Sequence, residues 1–312
     1  MGQATEGPRS HVPVMTAEVL EMFTPIRQGV IVDATYGGGG HSMNLLRELP
    51  PAVEILAVDR DPDAVAEAQR GKPPRLTVVQ ANHGELEDVL TDHGIEKIAG
   101  ALFDVGVSSD QLDSPERGFS YRHRGPLDMR MGPDAVYSAA ELVNEWPMRR
   151  LAEVIRVFGE ERFAVRVAEH IVASRPIPDT VTLAEVVRNA IPAAARRRGG
   201  HPARRTFQAL RIAVNDELGS LERGLEAALS HLEPGGRCVV ISYHSLEDRI
   251  VKRRFSRGAE GCVCPPELPV CTCGRSVELV RLTRGPLRPS DREVELNPRS
   301  RSARLRAVEK AA

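Results

Sequence analysis

Short apolar runs separated by segments of helical spacing dominate the first third of the chain. Val30-Ile31-Val32-Asp33-Ala34, Ile55-Leu56-Ala57-Val58 and comparable runs near 75–79 and 98–103 have the length and β-branched content of buried strands. The stretches between them, such as Asp63 to Gln69, place apolar residues at helical intervals. The predicted order is βαβαβαβ, which requires a mainly parallel sheet with helices on both faces. From 111 to 211 the pattern turns helical without clear strands, broken or capped at Asp134, Pro147, Pro176, Pro178 and Pro192. Strand chemistry returns at Arg237-Cys238-Val239-Val240-Ile241, behind the turn Glu233-Pro234-Gly235-Gly236, and again near 278–282 and 304–308. The simplest arrangement is an α/β domain of residues 1–110 and 212–312 with an all-helical domain, 111–211, inserted in it. There is no internal repeat and no low-complexity linker.

Ligands of such sheets collect beyond the carboxyl ends of the strands, and four loops fall there: Gly37 to His41, Asp59, the Asn82-His83 pair and Asp104. A glycine run alone is most often only a flexible turn. Here strand, glycine loop, helix, second strand and terminal acid occur in order, and Asp59 stands where a carboxylate accepts hydrogen bonds from both hydroxyls of a ribose. The dinucleotide fingerprint fails because Ser42 occupies the third glycine position, and a phosphate loop fails because no Gly-Lys-Ser/Thr follows. A nucleoside cofactor without a pyrophosphate remains, and S-adenosylmethionine fits. After the fourth strand, Leu102 to Asp113 gathers Asp104, Ser108 and Ser109, the candidate catalytic groups where a substrate would meet the methyl donor. An ordinary capped helix start explains the two serines equally well, and their place opposite the glycine loop favours function.

Composition changes the picture through charge. Across 312 residues the formal net charge is only −1, yet residues 1–110 carry 8 Lys and Arg against 17 Asp and Glu, and the remainder 34 against 26. Residues 186–215 contain seven arginines and no acid: Arg188, Arg196, Arg197, Arg198, Arg204, Arg205 and Arg211, with His201 among them. Unrelieved arginine suits a phosphate backbone better than a solvated face, so nucleic-acid contact is expected there. More basic residues follow at Arg249, Lys252, Arg253, Arg254 and Arg257, then at Arg299, Arg301, Arg304 and Arg306. Within Ile241 to Arg249, Ser245 and Asp248 have capping-box spacing, while His244 is a candidate for the substrate side. Aromatics are few, at 4%, so aliphatic side chains must fill the core. Four of the five cysteines, Cys262, Cys264, Cys271 and Cys273, offer the sulfurs of a structural tetrahedral zinc site, with free buried thiols as the alternative. The polar N-terminus lacks an apolar signal region, and nothing approaches the ~18 apolar residues of a membrane span, so a soluble cytoplasmic protein is expected.

Taken together these segments resemble the bacterial 16S rRNA cytosine N4-methyltransferases of the RsmH (MraW) type. The resemblance rests on collinear runs that include His11 to Met15, Asp33 to Ser42, Ala57 to Pro62, Asp104 to Ser109, Arg117 to Ser120, Pro126 to Met131, Gly159 to Phe163, Arg205 to Arg211, Ser245 to Arg249 and Asn297 to Ser302. It implies a class I, Rossmann-like methyltransferase sheet with an inserted helical substrate-recognition domain. It also implies transfer of a methyl group to N4 of a cytidine in the decoding region of 16S rRNA, on the small ribosomal subunit. Carried over by residue, the S-adenosylmethionine site would be Gly39, Gly40, His41, Asp59, His83, Asp104 and Gln111, with His83 and Gln111 resting mainly on the family pattern. Independently of the resemblance, the arginine density and the strand-end histidine place the expected RNA contacts at Arg196, Arg197, Arg198, Arg204, Arg205 and His244. The family often has Pro where this chain has Asp110, and the cysteine cluster occurs in only part of it.

The amine of cytosine is a poor nucleophile because its lone pair is delocalised into the ring, so acceptors near Asp104, Ser108 and Ser109 are expected to hold its hydrogens and aim that pair. A splayed target base would need an aromatic partner, for which Phe119, Tyr121 and Tyr243 are candidates. The Pro-Pro-aromatic element of other amino-methyltransferases is missing after the fourth strand, which disfavours a DNA amino-methyltransferase. A non-catalytic ribosome assembly factor and a nicotinamide-dependent dehydrogenase are the readings from other classes. The sequence leaves monomer and homodimer equally open.

Overall fold

The computed structural model describes residues 13–196, 200–261, 264, 272–274 and 276–312. The described chain divides into two compact units, one running to Gly106 and resuming at Ser220–Ala312, the other Val107–Gly219. The divisions therefore fall at 106/107 and 219/220, against 110/111 and 211/212 in the sequence reading.

The first unit is built on seven strands: β1 (Gly29–Asp33), β2 (Val53–Asp59), β3 (Leu76–Gln80), β4 (Ile98–Asp104), β5 (Leu232–Ser242), β6 (Leu279–Arg281) and β7 (Arg304–Lys310). Their order is β3-β2-β1-β4-β5-β7-β6, with β1 to β5 parallel and β7 antiparallel to both of its neighbours. This is the doubly wound α/β sheet that the alternating pattern predicts. The chain turns back between β3 and β4, so the carboxyl ends of β1 and β4 flank the switch point where such sheets bind ligands. Apolar side chains fill both faces. Val19, Phe23, Ile31, Leu45, Ile55 and Leu305 lie on one side, and Val32, Leu56, Leu86, Phe103, Leu225 and Val240 on the other. The expected turn at 233–236 is absorbed into β5 as an irregularity, where the partner register jumps from Ile98↔Leu232 to Gly100↔Arg237 and Gly235 takes φ +80.

The helices beside this sheet are α1 (Thr16–Phe23), α2 (Gly40–Glu48), α3 (Pro62–Gln69) and α4 (Leu86–Asp92). The second unit holds α5 (Ser109–Asp113), α6 (Ala139–Glu145), α7 (Met148–Gly159), α8 (Ala164–Ala173), α9 (Thr180–Ala190), α10 (Ala193–Arg196) and α11 (Arg204–Asn215), and no strand among its described residues. α12 (Glu217–His231) contains the boundary, and α13 (Ser245–Ala259) and α14 (Asp291–Leu296) return to the first unit. Leu142, Leu151, Ile155, Val167, Leu183 and Phe207 form the second unit's own core. Asn215 stitches it to an irregular segment, accepting from Met131 N at 2.8 Å and donating to Met129 O at 2.7 Å. Among the described residues no helix is long and apolar enough to cross a membrane.

Candidate active site

In the first unit the strand ends converge through carboxylates that organise their own backbone. Asp33, the last residue of β1, accepts from Thr35 N at 3.2 Å and from Ser42 Oγ at 2.6 Å, which ties the glycine loop to the first turn of α2. Asp59 ends β2 and accepts from Gly37 N at 2.6 Å and Asp61 N at 2.8 Å. Each of its oxygens thus keeps a lone pair for a ribose hydroxyl. Burial raises the pKa of Asp33 and of Asp59, with hydrogen bonds opposing it in both.

The glycines of the loop divide by use. A Cβ on Gly39, at φ +72, would run into the Tyr36 ring and hydroxyl, and one on Gly40 would meet Pro13 Cγ at 2.8 Å. Gly37 and Gly38 have open space at the Cβ position among the described residues. The sequence reading gave Gly39 and Gly40 to the ligand. The structure closes their Cβ positions with the chain's own side chains and leaves the open side at Gly37 and Gly38.

Asp104, at the end of β4, is held from three directions. Its N–H donates to Thr35 Oγ1 at 2.7 Å, its Oδ1 accepts from the Tyr243 hydroxyl at 2.8 Å, and its Oδ2 lies 3.5 Å from His41 Nε2. His41 is only 6% exposed, and its Nδ1 has no hydrogen-bond partner among the described residues. Burial opposes protonation of His41, but the hydrogen bond and charge of Asp104, then Asp33 and Glu293, outweigh it and raise the pKa. Burial and then the charge of Asp104 hold the Tyr243 phenol well above its ordinary value, so it is a hydroxyl donor at neutral pH. Tyr243 follows β5 and packs against Gly106, whose φ of +123 no L side chain adopts comfortably. Sequence reasoning offered this tyrosine only as a stacking aromatic.

His83 opens a 3-10 turn capped by Asn82, whose Oδ1 accepts from Gly84 N at 3.0 Å, and its ring meets Phe103 edge-on at 6.1 Å. His244 is the N-cap of α13. Its Nδ1 accepts from Glu247 N at 3.4 Å, while Glu247 Oε2 accepts from His244 N at 3.1 Å and Tyr243 N at 2.8 Å. The capping box is therefore His244 with Glu247, not Ser245 with Asp248, because α13 starts at Ser245, one residue earlier than that spacing assumed. Asp248 instead pairs with Arg306 at 2.7 Å and Arg304 at 3.1 Å.

Ser108, Ser109 and Gln111 lie in the second unit. Ser108 caps α5, accepting from Gln111 N at 3.2 Å while Gln111 Oε1 accepts from Ser108 N at 3.1 Å. Asp110 occupies the first turn of α5, where a carboxylate suits the helix dipole as a Pro suits the backbone, so the departure from the family pattern keeps the turn. Arg188, Arg196, Arg204 and Arg205 are exposed, whereas Arg211 turns inward onto Glu217, with two contacts of 2.8 Å. His201 stacks on Tyr121 at 4.4 Å, and burial together with the charges of Arg188 and Arg122 lowers its pKa. Phe119 is a core residue. Sequence reasoning missed a cleft of about 480 Å³ in this unit, lined by Trp146, Arg150, Phe158 and Ile212, with the Arg150 guanidinium 3.5 Å above the Trp146 ring. Its signal was the chain's single tryptophan.

Arg197, Arg198, Cys262 and Cys271 lie outside the described residues. Of the remaining proposed zinc ligands, Cys264 accepts a hydrogen bond from Thr272 N at 3.4 Å and Cys273 is half-buried, and neither belongs to a group of three or more potential metal ligands among the described residues. The fifth cysteine, Cys238, is buried in β5, and desolvation raises its thiol far out of the reactive range.

Residues 9–311 match the MraW methylase family. The chain is 52% identical over 306 residues to the ribosomal RNA small subunit methyltransferase H of Symbiobacterium thermophilum, with 96% of each chain covered. The protein of that name from Geobacter sulfurreducens is 52% identical over 307 residues, covering 96% of this chain and 99% of the relative. That of Mycobacterium sp. (strain KMS) is 49% identical over 313 residues, covering 97% and 84%.

Proposed function

The chain belongs to the MraW methylase family, and on that footing we propose that it uses S-adenosylmethionine to methylate N4 of a specific cytidine in the decoding region of 16S rRNA, acting on the small ribosomal subunit. The single observation behind the assignment is the strand-end set in which Asp59, the Gly37–Gly38 opening and the His41–Asp104–Tyr243 cluster meet. These residues fit the cofactor. Asp59 keeps acceptor capacity for ribose hydroxyls, the open glycines admit a ligand against the backbone, and the unpartnered His41 Nδ1 offers a buried polar contact. When bound, S-adenosylmethionine supplies an electrophilic methyl group.

What the protein must add is orientation of a weak amine. Asp104, fixed at one oxygen by Tyr243, is the acceptor proposed to hold an amino hydrogen of cytosine and turn its lone pair toward the donor. Ser108 and Ser109, a few residues further along the chain, are proposed as additional acceptors on the sequence reading alone. No base has to act first, because an N-methylated ammonium loses its proton readily. The second unit is proposed as the substrate-recognition domain, with exposed Arg196, Arg204 and Arg205 on phosphates. Transfer of labelled methyl to small subunits lacking this modification, with naked 16S rRNA and duplex DNA in parallel and nucleoside analysis of the product, tests the reading. N4-methylcytidine in subunit rRNA is expected. Label on DNA alone, or tight subunit binding without transfer, overturns it.

A further inference from the structure

We propose that the exposed face of α13 is a contact surface for the phosphate backbone of the rRNA substrate, separate from the arginine cluster of the helical unit. This inference rests on the rRNA reading above.

The helix sorts its side chains by sign. Leu246, Val251, Phe255 and Gly258 face the core. Its two first-turn carboxylates are buried and already employed, Glu247 in the N-terminal cap and Asp248 on Arg304 and Arg306. The one cation that faces inward, Arg254, is neutralised by Glu226 at 2.7 Å and Glu278 at 3.0 Å. What remains outside is Arg249, Lys252, Arg253 and Arg257, all exposed, with Ser256 between them. At 100° per residue these positions share one stripe, and from Arg249 to Arg257 it is about 12 Å long at the rise of an α-helix. Lys252, Arg253 and Arg257 have no carboxylate partner among the described residues, and beyond the first turn the next acid along the chain is Glu260, at the helix end.

An exposed helix that only needs water intersperses both signs. Here both first-turn acids have been drawn into intramolecular bonds, so Lys252, Arg253 and Arg257 are left as exposed cations with no carboxylate partner among the described residues, on a unit whose N-terminal part is strongly acidic. The stripe also begins at a functionally placed end. α13 starts two residues after Tyr243, whose hydroxyl holds Asp104, so a strand whose base reaches Asp104 has this row of cations leading away from it. A polyanion is the complementary occupant, and phosphate contacts carry affinity and salt dependence without reading sequence.

The test is the triple variant Lys252→Ala, Arg253→Ala, Arg257→Ala, assayed for methyl transfer to small subunits over a range of salt. Alanine keeps helix propensity, so the fold is preserved. The KM for subunits is expected to rise roughly tenfold, and the salt slope of apparent affinity to fall by about 2–3, at 0.7–0.9 per phosphate contact. The kcat at saturating subunits and the affinity for S-adenosylmethionine by calorimetry are expected to stay at wild-type values. A control triple, Arg27→Ala, Arg70→Ala, Lys97→Ala, removes equal charge elsewhere in the same unit and is expected to leave the KM unchanged. If wild-type protein methylates subunits and the α13 variant matches it in KM and salt slope, the surface assignment is overturned alone. An equal rise in KM for the control overturns it too, because net charge would then suffice. Wild-type protein that transfers no methyl to subunits overturns the rRNA reading, and the docking surface with it.

Discussion

The carboxylate of Asp104 receives the Tyr243 hydroxyl at one oxygen and faces His41 at the other, so its orientation is set before any substrate arrives. If that carboxylate aims the amine, Asp104→Ala is expected to lower kcat on the order of a hundredfold, with S-adenosylmethionine affinity changed far less. Tyr243→Phe keeps the ring and removes the pin. It is expected to lower kcat severalfold at unchanged subunit KM, a split that separates positioning from loss of fold. His41 adds a linkage effect. Its folded pKa is raised above the ordinary 6.5, so its contribution to stability is complete below 6.5 and is lost as pH rises through the higher folded value. The melting temperature of wild type should therefore fall as pH climbs above 6.5, and His41→Gln should flatten that fall. Asp104 and His41 were legible in the sequence because each stands at a strand or loop end. The pairing of Asp104 with Tyr243 was not, since 139 residues separate them and only the register of β4 on β5 brings them together.

Elements show the same division between what local chemistry dictates and what packing decides. All seven strands are readable from short apolar runs, the central ones because both faces are buried, and the edge strands β3 and β6 because Leu76, Val78 and Leu279 still face the core. The start of α13 is not, because serine is the better generic cap and the sequence carries no sign that Glu247 reaches back to two backbone N–H groups. The sequence reads the glycine loop as a close approach to a ligand, and in the structure the groups nearest the Cβ positions of Gly39 and Gly40 are Tyr36 and Pro13. Gly39→Ala therefore carries two penalties, a left-handed backbone costing about 1–2 kcal/mol and a collision with Tyr36. The expected outcome is a lower melting temperature together with weakened S-adenosylmethionine binding by calorimetry. An alanine at Gly38, where φ is ordinary and space is open, should leave the melting temperature near wild type.

At the scale of the molecule the question is which cations are available to a polyanion, and sequence density alone answers it badly. Seven arginines between 186 and 215 look equivalent in the sequence, yet the fold gives them different work. Arg211 is turned onto Glu217 with side-chain exposures of 15% and 10%, an ion pair that holds α11 to the start of α12. Arg196 and Arg204 are exposed, and no carboxylate pairs with them among the described residues. Facing depends on which side of a helix its neighbours cover, which an apolar pattern gives only approximately. The two classes should therefore separate in one experiment. Arg211→Ala leaves Glu217 uncompensated and is expected to destabilise the helical unit by on the order of 3 kcal/mol, read as a lower denaturation midpoint. Arg196→Ala with Arg204→Ala should leave the midpoint and S-adenosylmethionine affinity unchanged, raise the KM for small subunits, and reduce the salt slope by about 1–2. If the double variant keeps both the wild-type KM and the wild-type salt slope, these arginines are a solvated face, and the electrostatic grip on the substrate has to come from elsewhere on the molecule.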